Sequence, residues 1–285
     1  MGLEREVFPV ENYDLSATLD SGQAFRWRES DGAWTGVVGG RWVRLREESG
    51  AIVTETFAPP GDWLWLRHYL QLDVNLPGVL ETFPRDDEAL QTAVRACAGL
   101  RLLRQEPWEC LASFICSSTK QIVQIRQIIA LLCARFGEPV PVPPGHASAF
   151  SFPACERLAD AAESELRECK LGFRAPYLRG TAQMLAAGEV DLAGLSKLPI
   201  EQARAELLKL PGVGEKIADC VLLFAGGFSS AFPVDVWIMR ALRRHYFPRR
   251  KVAPARMRRF IGNHFGPHAG YAQQYLFHHI RSKGA

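Results

Sequence analysis

The chain has 285 residues, enough for one large or two modest domains with a real core, and its 47% hydrophobic and 23% charged content excludes wholesale disorder and collagen-like or coiled-coil architecture. The net charge of +3 is unevenly placed: eleven Lys and Arg and no acidic residue follow Asp235, leaving 23 basic against 31 acidic residues up to that point. That asymmetry fits a polyanion binder or, more blandly, a set of solvated basic helix ends.

Residues 14 to 57 alternate apolar and polar side chains in short runs, Ala24–Arg28, Trp34–Val38, Trp42–Arg46 and Ala51–Phe57. Ser-Asp-Gly, Gly39-Gly40 and Glu-Ser-Gly turns separate them, which predicts a twisted antiparallel sheet joined by hairpins. From Asp62 the apolar spacing turns helical, at Trp63, Leu66, Tyr69 and Leu70. It stays helical near 86–98, 107–118, 121–136, 155–168, 174–187, 200–209, 215–226, 235–246, 254–265 and 268–282. The Pro-rich stretch 139–153 reads as a long surface connection. The expected fold is therefore α+β, with an N-terminal antiparallel sheet domain and flanking helix over 1–95 and a mostly helical body over 96–285.

No apolar run approaches the roughly 18 residues a bilayer span needs, and the opening residues are acidic with no apolar stretch, so no membrane association and a cytosolic product are expected. The seven cysteines form no CxxC pair and read as reduced thiols, neither a disulfide frame nor a zinc or iron–sulfur site.

Leu208–Cys220 reads Leu-Lys-Leu-Pro-Gly-Val-Gly-Glu-Lys-Ile-Ala-Asp-Cys, ending one helix and opening another. Pro211 stops the first helix, and Gly212 and Gly214 are expected to take the positive φ of a tight hairpin. The free N–H groups of the second helix suit a phosphate, although an ordinary glycine-capped turn would use the same residues. Lys216 stands in the first turn of that helix, where the macrodipole disfavours an ammonium. An uncharged amine is a nucleophile, and Cys220 lies one turn further along the same face. Nineteen residues beyond Lys216, Asp235 stands at the expected N-cap of the next helix. Capping is its ordinary role; a carboxylate there could also face the positive charge that develops when a glycosidic bond breaks.

With these two residues the chain resembles the helix-hairpin-helix DNA glycosylase superfamily. Further stretches make it similar to its 8-oxoguanine DNA glycosylases with associated AP lyase: Ser21–Arg28, Tyr69–Val74, Arg101–Pro107, Glu109–Ser118, Leu171–Ala175, Pro233–Val236 and Gly270–Phe277. The resemblance implies that Lys216 attacks the deoxyribose C1′ and forms a Schiff base, and that Asp235 stabilises the sugar cation. It implies that the Gly22 carbonyl accepts from the N7–H of 8-oxoguanine, that Gln273 reads the base edge, and that Phe277 and Cys220 sandwich the base. Phe173 and Arg174 match a wedge and a residue contacting the cytosine left behind, while Gly212, Gly214, Trp237 and Thr119 fall in DNA-contacting segments. The implied partner is duplex DNA containing 8-oxoguanine, bound by a monomer without cofactor or metal.

Two departures from the family pattern stand out. Vertebrate members carry asparagines and then a cytosine-reading arginine after Cys-Ser-Ser; here the segment is Thr119-Lys120-Gln121, and Gln124 takes the arginine's place. Weaker discrimination for cytosine opposite the lesion is expected. Trp237 replaces a phosphate-contacting histidine, so the contact is lost or passes to the indole N–H. The alternatives are a related glycosylase for other damaged bases, a noncatalytic DNA-binding module, and a metal site built from His264, His268, His278 and His279.

Overall fold

Tight glycine-containing turns shape the front of the chain. In the computed structural model, which describes residues 2–57, 59, 61–248 and 252–283, β1 (Glu4–Pro9), β2 (Arg28–Ser30), β3 (Ala33–Val38), β4 (Arg41–Glu48) and β5 (Ala51–Thr56) form one antiparallel sheet. Its order is β1-β5-β4-β3-β2. The three expected hairpins close across Ser30↔Ala33, Val38↔Arg41 and Glu48↔Ala51. Each two-residue loop, Asp31-Gly32, Gly39-Gly40 and Ser49-Gly50, has positive φ at both positions, the geometry whose twist matches that of the strands it joins.

The sheet differs from expectation at one site of consequence. Ala24–Arg28 is not a strand; only Arg28 pairs, as the first residue of β2. Ser21, Gln23, Ala24, Phe25 and Trp27 are all buried, so most of the segment before Arg28 is enclosed instead of alternating between two faces. It follows a short helix, α1 (Leu15–Asp20), capped by the Asp14 carboxylate at Ala17 N, 2.7 Å.

Helices then dominate: α2 (Leu64–Leu70), α3 (Leu76–Glu81), α4 (Glu88–Ala96), α5 (Pro107–Cys116) and α6 (Ile122–Phe136). The Pro-rich connection contains a small antiparallel pair, β6 (Pro139–Val140) and β7 (Ala149–Phe150). After it come α7 (Cys155–Asp160), α8 (Glu163–Glu168), α9 (Ala175–Ala186), α10 (Ile200–Leu208), α11 (Glu215–Phe224), α12 (Val236–Ala241), α13 (Pro254–Phe265) and α14 (Ala269–Lys283). The single helix expected over 155–168 is two, because Ala161 and Ala162 are extended. The one expected over 235–246 ends its α geometry at Ala241 and continues as a π turn through Tyr246. Among the described residues no helix is long and apolar enough to cross a membrane. All seven cysteines are unpaired.

Two hydrophobic clusters form, one under the sheet around Trp27, Leu45, Ile52 and Leu66, and a larger one among the helices around α5 and α11. Connectivity does not divide them cleanly, since Phe25 packs with the helices and Leu103 with the sheet. The seam between them is polar, and the Gln23 side chain is satisfied within it. Gln23, fully buried, donates from Nε2 to the carbonyls of Thr18 and Arg101, both at 2.8 Å, while its Oε1 accepts from Leu103 N at 2.7 Å. Its own carbonyl accepts from Gln105 Nε2 at 2.7 Å. Gln23→Leu keeps the volume and the backbone bond to Gln105 but strands the Thr18, Arg101 and Leu103 backbone groups, so stability should fall by roughly 2–4 kcal/mol; a urea midpoint equal to the parent's would show that the seam is held by packing alone.

Candidate active site

The segment joining α10 to α11 turns as the Pro-Gly-Val-Gly spacing predicts, with one correction. Gly212 has φ +75°, and a Cβ there would stand 2.7 Å from Tyr177 Cβ, so both conformation and space exclude a side chain. Gly214, expected to share the positive φ, is extended at φ −102° and caps α11 with open space around it. Thr181 Oγ1 donates to the Pro211 carbonyl at 2.8 Å and ties the hairpin to α9.

Lys216, in the first turn of α11, turns inward. Its Nζ lies 3.1 Å from Ser117 Oγ and 5.0 Å from the centre of the Phe114 ring, so the end of α5 orients the amine. Asp235 is the N-cap of α12, with one carboxylate oxygen accepting from Trp237 N at 3.0 Å and Ile238 N at 2.8 Å. Burial pushes its carboxyl above the usual carboxylate range, opposed by the Ile238 bond, the Lys216 charge and the Trp237 bond. Cys220 is buried and its thiol is pushed up to about 12, chiefly by burial, so it presents a neutral, polarisable sulfur.

These groups line one cleft of about 1370 Å³, and the walls opposite come from distant parts of the chain. Gly22 enters from the loop after α1 with φ +78°; a Cβ there would lie 2.9 Å from Ile122 Cδ1 and 3.3 Å from Phe277 Cε1. Gln273 and Phe277 stand one turn apart on α14, the glutamine only 4% exposed with no partner for its Oε1 among the described residues. A buried amide oxygen without a partner costs stability unless a ligand satisfies it, and here it belongs to a residue lining the cleft.

The expected DNA-contacting residues are placed less uniformly. Thr119 and Trp237 line the cleft; Trp237 also borders a neighbouring hollow of about 870 Å³, with the Arg240 guanidinium 5.3 Å from its ring. Phe173 is 56% exposed. Arg174, expected to offer its charge outward to a base, is only 2% exposed. Its guanidinium donates to the carbonyls of Leu171 and Ser118 and, at 2.6 Å, to Thr119 Oγ1, so it supports the loop next to Ser117. Gln124 is also occupied locally, its side chain accepting from Gln121 N at 3.1 Å at the start of α6. Of the basic run after Asp235, Arg249, Arg250 and Lys251 lie outside the described residues.

Two participants went unassigned in the sequence reading, Ser117 and Phe114. Nothing in their local pattern distinguishes them from core helix residues; only the approach of α11 to α5 reveals them. His264 meets Asp87 at 2.8 Å, and among the described residues no three His, Cys, Asp or Glu could share a metal ion.

Residues 7–111 match the family model for the 8-oxoguanine DNA glycosylase N-terminal domain, and residues 112–265 that of HhH-GPD superfamily base excision DNA repair proteins. A probable N-glycosylase/DNA lyase of Methanothermobacter thermautotrophicus is 33% identical over 97% of this chain and 96% of its own. An N-glycosylase/DNA lyase of Arabidopsis thaliana is 31% identical over 92% of this chain and 76% of its own. Among solved structures, the Clostridium acetobutylicum 8-oxoguanine glycosylase/lyase in complex with duplex DNA containing cytosine opposite 8-oxoguanine aligns with a TM-score of 0.92 and 30% identity, covering 100% of this chain and 99% of that one. The chain therefore belongs to the HhH-GPD superfamily of base excision DNA repair proteins and carries in front of that body the N-terminal domain of 8-oxoguanine DNA glycosylases.

Proposed function

We propose that this protein is a bifunctional DNA glycosylase and AP lyase that removes 8-oxoguanine from duplex DNA. The observation that carries the reading is the convergence of an oriented amine, a half-buried carboxylate, an unpartnered amide oxygen and a side-chain-free loop residue on one cleft, from four separate segments.

The chemistry needs the nucleotide out of the stack, because neither C1′ nor the base edge is reachable inside a duplex. The extruded base lies between the Phe277 ring and the Cys220 sulfur, with Gln273 on its Watson–Crick edge. The Gly22 carbonyl accepts from N7–H, a donor that guanine lacks. Lys216 Nζ attacks C1′ as the glycosidic bond breaks; its electrons leave with the base, which takes up a proton. Asp235, as carboxylate, stabilises the positive charge that develops on the sugar. Opening of the ring leaves an imine between Lys216 and C1′, and removal of a C2′ proton expels the 3′ phosphate and nicks the strand. Gly212 and Gly214 bring hairpin N–H groups to the backbone phosphate, and the Trp237 indole N–H supplies a further donor. Phe173 fills the stack where the base was.

Borohydride trapping tests the amine. Lys216→Gln should keep affinity for a duplex containing 8-oxoguanine within a few-fold and lose both covalent trapping and strand nicking; trapping at the parent's yield would transfer the nucleophile elsewhere.

Asp235→Asn separates catalysis from stability. Asparagine caps a helix as well as aspartate does, so α12 keeps its start. Excision should fall by roughly 10²–10³-fold with the lost charge. The folded-state carboxyl titrates above its unfolded value, so ionising it opposes folding, and this penalty appears as pH rises through the folded value. Asp235→Asn should therefore unfold at a higher temperature than the parent near neutral pH, with the advantage vanishing in acid. An advantage that grew towards acid would mean that the carboxylate is stabilised by its surroundings.

Cytosine opposite the lesion should be only weakly preferred, because Gln124 is engaged in capping α6 and Arg174 is turned inward. Excision from duplexes pairing 8-oxoguanine with each of the four bases should vary by less than about tenfold, whereas a hydrogen-bonding reader of the opposite base would produce far more.

A further inference from the structure

Glycine is the residue least able to fix its own carbonyl direction, yet the proposed reading of 8-oxoguanine depends on where one glycine carbonyl points. The peptide plane before Gly22 and the side chain of the residue after it are held from outside its loop. Gln274 of α14, 2% exposed, donates from Nε2 to the Ser21 carbonyl at 3.0 Å. One turn beyond Phe277 on the same helix, Arg281 donates to the Asp20 carbonyl and lies 3.6 Å from the Asp20 carboxylate. Arg126 of α6 pairs with the other oxygen of that carboxylate at 2.6 Å. After the glycine, Gln23 is locked by its bonds to Thr18, Arg101 and Leu103.

The same helix carries Gln273 and Phe277. A cleft built to recognise an oxidised purine must hold two readers at a fixed separation, one at each side of the base. If the Gly22 loop floated independently, that separation would vary with every loop fluctuation. Bonded to α14 at positions 274 and 281, it moves with the helix that holds Gln273.

We infer that Gln274 and Arg281 are positioning residues for lesion recognition: by pinning the Ser21 and Asp20 carbonyls to α14 they set the Gly22 carbonyl at a fixed offset from Gln273, and so set the preference for 8-oxoguanine over guanine. This rests on the functional reading above. It assigns neither residue a part in the lyase step, where no base remains to be read.

Four proteins test it: the parent, Arg281→Met, Gln274→Met and Arg281→Lys. Each is measured for single-turnover excision of 8-oxoguanine and for cleavage and borohydride trapping of a duplex with a preformed abasic site. The two methionine variants should lose about tenfold or more in excision while abasic cleavage and trapping stay within about twofold. Arg281→Lys, which keeps a donor for the Asp20 carbonyl, should recover most of the loss. In a Lys216→Gln background, Arg281→Met should reduce the binding preference for 8-oxoguanine over guanine by about tenfold and leave the salt dependence of binding to undamaged duplex unchanged. Excision and abasic cleavage falling in parallel, both methionine variants failing to fold, or neither activity changing would each overturn the inference. A parent that cleaves abasic sites but excises no 8-oxoguanine would overturn the functional reading, and this inference with it.

Discussion

A carboxylate kept partly out of water beside an amine is the constraint around which the site is arranged. Asp235 is exposed enough to meet a substrate and buried enough that ionisation works against its surroundings. Two backbone N–H groups at the start of α12 and the Lys216 charge offset part of that cost. The two N–H donors are directional and fixed, so the carboxylate has little freedom to seek a better environment. Lys216 is held in the same way from another side, by the Ser117 hydroxyl and the Phe114 ring. A flexible lysine would spend most of its time elsewhere, and ordering it before substrate arrives lowers the entropic part of the barrier.

The helical body carries these costs because it is well packed where the site is not. Every residue of α5 from Cys110 to Cys116 is buried, and Phe114 stacks on Phe224 of α11 with ring centres 5.7 Å apart. That contact fixes the distance between the helix holding Ser117 and the helix holding Lys216. The unpartnered Gln273 oxygen and the desolvated Asp235 both occur in the same cleft. Such violations are expected where a ligand, and not the protein, completes the bonding.

The sheet domain reaches the cleft through the loop after α1. Its five strands have little contact with the cleft; what reaches it is the turn after α1, with Gly22 at its tip. Gln23, Gln274 and Arg281 hold that turn, and none of the three has to touch a base to matter. Arg174 is a parallel case, in which a charge expected at the surface instead braces the loop beside Ser117, the hydroxyl partner of Lys216.

Local chemistry made part of the site legible without a structure. Pro211 and Gly212 mark a hairpin because proline ends a helix and only glycine fits beside Tyr177 at that φ. Lys216 and Cys220 share a face because they are four apart on a helix, and Asp235 precedes α12 as an N-cap should. The three strand turns were readable for the same reason, since residues three apart across a two-residue turn answer to local backbone geometry. Contacts between segments far apart in the chain were not readable in this way. Gly22 and Gln273 are 251 positions apart, and no periodicity links them; resemblance to a family pointed to both, and tertiary packing decided that they face one cleft. The same packing decided that Ala24, Phe25 and Trp27 would be enclosed instead of paired, that Arg174 would turn inward, and that Ser117 would meet Lys216. Spacing along a chain dictates which side chains share a face, whereas the partner of that face is chosen by burial among elements whose separation in sequence carries no signal.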